Sequence, residues 1–139
     1  MVLVYETRQS TRDVDAIILA PEAATVRELA RIVADERGWP NDWLNDGAKG
    51  FLVGVSSGPV VFSAPGINVS SPATAQLLAM KLSAWRDDVD IADARRLLQD
   101  MPGGRDEIWR SVEPFLIPGN ALKAHYAFTD LWETIYGDD

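Results

Sequence analysis

The chain of 139 residues has no cysteine, so neither a disulfide nor a thiolate metal site is open to it. Its single histidine, His125, stands between apolar neighbours and far along the chain from the acidic motif described below. A lone histidine builds neither a zinc site nor an acid–base pair, and His125 is given no role. Basic runs are missing too: 13 Lys and Arg stand against 21 Asp and Glu, a net charge of −8. Broad nucleic-acid binding needs clustered cations to replace phosphate counterions, so that class is disfavoured. No apolar stretch approaches the ~20 residues of a membrane span. Met1-Val2-Leu3-Val4-Tyr5 has no basic leader and ends at Glu6, so no secretory signal is expected and the cytoplasm is the expected compartment. There is no G-x-S-x-G, no P-loop and no dinucleotide fingerprint.

What is present is a paired carboxylate. Thr11-Arg12-Asp13-Val14-Asp15-Ala16-Ile17-Ile18-Leu19 reads as a strand entered through two aspartates. Side chains alternate along a strand, so Asp13 and Asp15 share one face while Val14, Ala16 and Ile18 take the other, toward a core. Two neighbouring carboxylates repel unless a cation lies between them. Mg²⁺ suits that place, because it prefers oxygen ligands and bridges to phosphate. Two solvated aspartates at a strand entrance fit the same spacing.

The rest of the chain sorts into helices and short strands. Thr25-Val26-Arg27-Glu28 has the form of a capping box, and the spacing of Val26, Leu29, Ala30 and Val33 predicts an amphipathic helix over 25–37. Gly38 and Pro40 close it. Residues 39–50 form a polar loop holding Trp43-Leu44-Asn45-Asp46. Phe51–Val55 and Val60–Phe62 read as a hairpin around Ser56-Ser57-Gly58-Pro59, followed by a Pro65-Gly66 turn and a short strand at Ile67-Asn68-Val69. Ser71, with Pro72 at the first helical position, is expected to cap the next helix. Asp90 is expected to cap another, with Ile91, Ala94, Leu97 and Leu98 inward. Met101–Gly104 and Pro118–Asn120 separate it from a helix holding Ile108, Trp109 and Val112 and a last one over 121–136. The size and order predict one domain over 1–139. Its class is α+β, a small mixed sheet with helices packed on it and a C-terminal helical layer.

Several side chains have two readings each. Arg8 and Arg12 flank the aspartates; a guanidinium fork matches phosphate but also simply neutralises neighbouring acids, the reading preferred for Arg8. Lys81 interrupts the apolar stripe of Leu77, Leu78, Leu82 and Trp85. It either snorkels outward or is held inside by a carboxylate. Arg86, Asp87 and Asp90 read as local salt bridges and a helix cap. Trp43 packs over a sheet edge or stacks a base, packing being the expectation. Asn45 and Asp46 line a site with the aspartates or form the turn before Gly47.

Three segments together, Arg8–Ala16, Trp43-Leu44-Asn45-Asp46 and Leu77–Ile91, resemble the nucleotidyltransferase-like proteins of the DNA polymerase beta superfamily, in the branch related to AbiEii-type toxins. The resemblance covers about residues 1–98. It implies that Asp13 and Asp15 bind Mg²⁺ and that Lys81 points toward them and a nucleotide phosphate. It also implies that Arg12, Asn45 and Asp46 lie at the nucleoside triphosphate site. Intact relatives would move a nucleotidyl group to an acceptor hydroxyl. Two departures go with it. The family's Gly-Gly or Gly-Ser turn, which holds phosphates, would precede Met1, and Asn68 stands where a third acid is expected. Both imply weak or absent transfer. The alternative is a non-catalytic binding or regulatory member of a toxin–antitoxin-like pair. A homo-oligomer that covers an open sheet edge is a further alternative.

Overall fold

The computed structural model describes residues 14–19 and 22–137. Helices and strands are both present, as expected for a mixed α and β chain. The chain divides into two compact units, one ending at Gly50 and one beginning at Phe51.

In the first unit, strand β1 (Val14–Asp15) pairs in parallel with β2 (Leu44–Asn45). Helix α1 (Ala23–Arg37) connects them, as a parallel pair requires a crossover. Val14 N–H donates to the Trp43 carbonyl at 2.6 Å and Ala16 N–H to the Asn45 carbonyl at 2.8 Å. Ala16 and Ile18 are more covered than Ile17 and Leu19, matching the expected alternation, but Val14 is exposed. α1 starts earlier than its capping-box pattern predicts. The Glu22 carbonyl already accepts from the Thr25 and Val26 amides, so Thr25 lies inside the helix and caps nothing. Glu28 turns instead to Arg31. Gly38 does end the helix, at φ +67°, and Trp39 N–H returns to the Ala34 carbonyl.

A 3₁₀ turn (Gly47–Phe51) straddles the boundary, and an irregular stretch opens the second unit. The strand expected over Phe51–Val55 does not form. The carbonyls of Val53 and Gly54 both accept from Gln76 Nε2 at 3.0 Å, and Gly54 takes φ +72°. That side chain takes the acceptors a strand ladder would use. The hairpin lies one turn later: β3 (Val60–Ala64) pairs antiparallel with β4 (Ile67–Ser70) around Pro65-Gly66. Pro at the first central position and Gly66 at φ +83° suit a type II turn. Among the described residues the expected single mixed sheet is thus two separate two-stranded ones.

Four helices follow: α2 (Thr74–Ala84), α3 (Asp88–Asp100), α4 (Arg105–Val112) and α5 (Ala121–Tyr136). They bury Leu78 and Leu82 of α2, Ala94, Leu97 and Leu98 of α3, Ile108 and Val112 of α4, and Phe128 and Leu131 of α5. Ser71 does not cap α2; the hydroxyl of Ser56 accepts from Ala73 N–H at 2.9 Å instead. Lys123 Nζ, from α5, donates to the Ser83 and Ala84 carbonyls at the other end of α2, where a cation suits the helix dipole. Among the described residues no helix is long and apolar enough to cross a membrane.

Candidate functional site

Two groups of side chains bear on the expected chemistry, one in each unit. The first is set by the β1–β2 ladder. Asp15 stands directly opposite Asn45 across the parallel pair. Asp13, Arg8 and Arg12 lie outside the described residues. Asn45 is fixed locally: its Oδ1 accepts from Gly47 N–H at 2.9 Å and its Nδ2 donates to the Asp42 carbonyl at 3.2 Å. This is the Asx geometry that makes asparagine a turn residue. Asp46 faces Arg27 of α1, with 3.3 Å between Oδ2 and Nη2, both side chains largely exposed. Trp43 packs rather than standing free. Its Nε1–H donates to the Ala30 carbonyl at 2.9 Å, and its ring meets Trp39 edge-on at 5.3 Å.

The second group is an ion cluster at the α2–α3 corner. α2 ends at Trp85 with its backbone at φ 36° and ψ 53°, a left-handed conformation that a bulky residue adopts at a cost. The turn brings α3 back against α2. Asp87, not Asp90, caps α3, its Oδ1 accepting from Asp90 N–H at 3.0 Å. Asp90 is thereby placed inside the first helical turn, on the inner face. Asp90 and Asp93 are both buried. Lys81 Nζ lies 3.3 Å from Asp90 Oδ1 and 2.8 Å from Asp93 Oδ2. Arg86 holds the other oxygen of Asp90, through its backbone N–H at 3.0 Å and its Nε at 3.1 Å. The Arg86 guanidinium also stands over the Phe51 ring, 5.9 Å from its centroid. Lys81 is therefore held by carboxylates, and among the described residues these are Asp90 and Asp93.

Buried charge is costly unless paired, and here two cations meet two carboxylates. Burial pushes the Asp90 carboxyl up. The hydrogen bonds from Arg86 and the nearby charge of Lys81 outweigh that and hold it below the usual carboxylate range. A divalent cation does not fit this pair, since both oxygens of Asp90 and Oδ2 of Asp93 already face Lys81 or Arg86. Among the described residues no group of three or more His, Asp or Glu is gathered as a metal site.

The sequence reading missed Asp93 and misplaced Asp90. A signal was present. Asp90, Asp93, Ala94 and Leu97 follow i, i+3, i+4, i+7 spacing, so two acids sit on the stripe that faces the core. Ile91, expected inward, is 37% exposed because the stripe turns toward Asp90 and Asp93 instead. Asn68, at the position of an expected third acid, lies on β4 and accepts from the Ser63 hydroxyl at 2.6 Å. His125 is exposed on α5 and meets the Trp109 ring edge-on at 4.7 Å. No family model, no curated protein and no solved structure matches this chain.

Proposed function

We propose that this chain is a nucleotidyltransferase-like protein that binds a nucleoside triphosphate with Mg²⁺ and transfers its nucleotidyl group to an acceptor hydroxyl, with release of pyrophosphate, poorly or not at all. The observation that carries the reading is the pairing of Asp15 with Asn45. It pairs Val14-Asp15 with Leu44-Asn45, parts of two of the three stretches on which the family resemblance rests, although about thirty residues separate them in the chain.

In this reading Asp13 and Asp15 hold Mg²⁺, and Arg12, Asn45 and Asp46 border the nucleotide. The metal, when bound, would polarise the transferring phosphate. Binding is favoured over transfer by the internal partners of these groups: Asn45 is spent on its turn and Asp46 on Arg27. Asn68 adds no charge where a third acid is expected. Weaker stabilisation of the phosphoryl transition state lowers the rate by orders of magnitude. These features also favour the second reading, a regulatory module that works through a protein partner of the antitoxin kind or through a second copy of itself.

The test pairs calorimetric titration of the purified protein with Mg·ATP and incubation with labelled nucleoside triphosphates, Mg²⁺ and a pool of tRNA and protein acceptors. The expected result is measurable binding, lost in Asp15→Ala, with little labelling. Strong labelling that disappears in Asp15→Ala would make the chain an active transferase. Neither binding nor labelling would end the nucleotide reading and leave the regulatory one.

A further inference from the structure

The stretch from Phe51 to Met80 holds no Asp, Glu, Lys or Arg, so all 21 acids and 13 bases of the chain lie outside it. The β3–β4 hairpin is built from this run. Across its ladder Phe62 stands opposite Val69 and Ala64 opposite Ile67, and directly opposite residues of an antiparallel pair share a face. Phe62, Ala64, Ile67 and Val69 therefore make one apolar face, and Ser63 with Asn68 the polar one. Phe62 and Ile67 are 55% and 50% exposed, and all four residues of β4 are exposed. Among the described residues the sheet stops at two strands, so each strand keeps an outer edge. The β3 edge is interrupted by a bulge between Val60 and Phe62, a common device against further pairing. The β4 edge carries no bulge, no proline and no charge. A two-residue turn closes on a hydrogen-bonded pair, here Ala64 and Ile67, so the next pair, Ser63 and Asn68, is the non-bonded one. The backbone N–H and C=O of Asn68 thus turn outward, away from β3.

We propose that the β4 edge pairs with the β4 edge of a second copy, antiparallel about a two-fold axis at Asn68, so that two hairpins make one four-stranded sheet. Three observations select a second copy and this register. The outward N–H and C=O of Asn68 meet those of Asn68 in the second copy, as a bonded pair requires. Ile67 then stands opposite Val69 of the second copy, and the apolar faces of both hairpins fall on one side; a slip of one residue would set apolar against polar. Each copy also carries a net charge of −8, so contact through the charge-free run keeps the carboxylates of the two copies apart. The same run offers no cation to the phosphates of a nucleic acid or a lipid surface. The contact is one short strand wide and falls below the ~1,600 Å² of a standard stable interface, so the dimer is weak and depends on concentration. Pairing depends on neither functional reading above and stands or falls separately from them.

The test is sedimentation velocity over a concentration series, with the wild type, Asn68→Pro, Asn68→Lys, Asn68→Asp and Phe62→Ser. The wild type is expected to pass from monomer to dimer with a Kd of about 1–100 μM. Asn68→Pro removes an N–H that β3 does not use, so the hairpin should persist, as its amide NMR signals report, while the dimer is lost. Asn68→Lys and Asn68→Asp each set like charges across the axis and should weaken the dimer several-fold. An equimolar mixture of these two should dimerise more tightly than either alone, because unlike charges then meet. In the wild type the Asn68 amide should be protected from exchange only at concentrations that form the dimer. A wild type that stays monomeric up to about 1 mM would overturn the proposal. So would a Lys and Asp mixture no tighter than its components. A dimer kept in Asn68→Pro but lost in Phe62→Ser would move the contact to the apolar face and overturn the edge pairing. A monomer whose Asn68 amide is already protected would show the edge covered by another segment of the chain, and would overturn it too.

Discussion

Lys81 on α2 and Asp93 on α3 form an ion pair of 2.8 Å inside a helical core whose other inward residues are almost all apolar. The Asp93 side chain is nearly sealed from solvent, and Lys81 is mostly so. The pair joins two helices that the chain brings together through a strained corner at Trp85. Its energetics follow from what each partner would face alone.

Lys81→Met should destabilise the protein by about 3–5 kcal/mol at neutral pH, because two buried carboxylates then lose the ammonium they share. Lys81→Met combined with Asp93→Leu should recover much of that loss, since the uncompensated charge is gone. Urea unfolding of both variants checks this. A single variant that costs under about 1 kcal/mol would show that solvent reaches the cluster freely.

Stability should fall in acid through Asp90. Its pKa is lowered from the usual 3.8 in the folded chain. A depressed carboxyl adds stability above its unfolded pKa, and that stability is lost as the pH falls through the folded value. The contribution is therefore complete at neutral pH and declines below about pH 4. Thermal melts from neutral pH into this range should drop more steeply for the wild type than for Asp90→Asn. Parallel curves would remove Asp90 as the cause.

Gln76 ties the irregular stretch before β3 to α2. It is 1% exposed, donates to the Val53 and Gly54 carbonyls, and accepts from the Ser56 hydroxyl. Gln76→Leu keeps most of the volume but strips partners from all three. A loss of about 2–3 kcal/mol is expected from the unsatisfied groups. Limited proteolysis should find new cleavage within 53–58, and wild-type resistance there would contradict the anchoring role.

Gly58 and Gly50 should respond differently to alanine. A Cβ on Gly58 would collide with the backbone carbonyls of Ser71 and Pro72, whereas one on Gly50 would meet nothing within 4 Å. Backbone cannot step aside as a flexible side chain can. Gly58→Ala should therefore cost about 1–3 kcal/mol, and Gly50→Ala should be near neutral or slightly stabilising. Equal melting temperatures for the two variants would show that the 56–59 stretch moves away from 71–72 at little cost.

The sequence by itself determined the helical part closely. Leu97, Leu98, Ile108 and Val112 recur at helical spacing and are all buried. Gly38 and the Pro65-Gly66 turn were readable because their backbone chemistry is local. The ends of α1, α2 and α3 were not. Thr25, Ser71 and Asp90 each carry a capping side chain, but the helices begin on other partners: the Glu22 carbonyl accepts from the Thr25 and Val26 amides, the Ser56 hydroxyl from Ala73 and the Asp87 carboxylate from Asp90. Ser56 is far along the chain from the helix it caps, so no local pattern reveals it.

Only the tertiary structure decided three further matters. Phe51–Val55 has the composition of a strand, yet Gln76, more than twenty residues later, takes its carbonyls and prevents one. Asp15 meets Asn45 because α1 returns the chain in parallel, which the D-x-D spacing alone does not imply. Lys81 finds Asp90 and Asp93 because the Trp85 corner folds α3 onto α2. Apolar periodicity is written in neighbouring residues, since burial needs only a face. The partner of a polar group depends on direction and distance, and those exist only once the chain has folded.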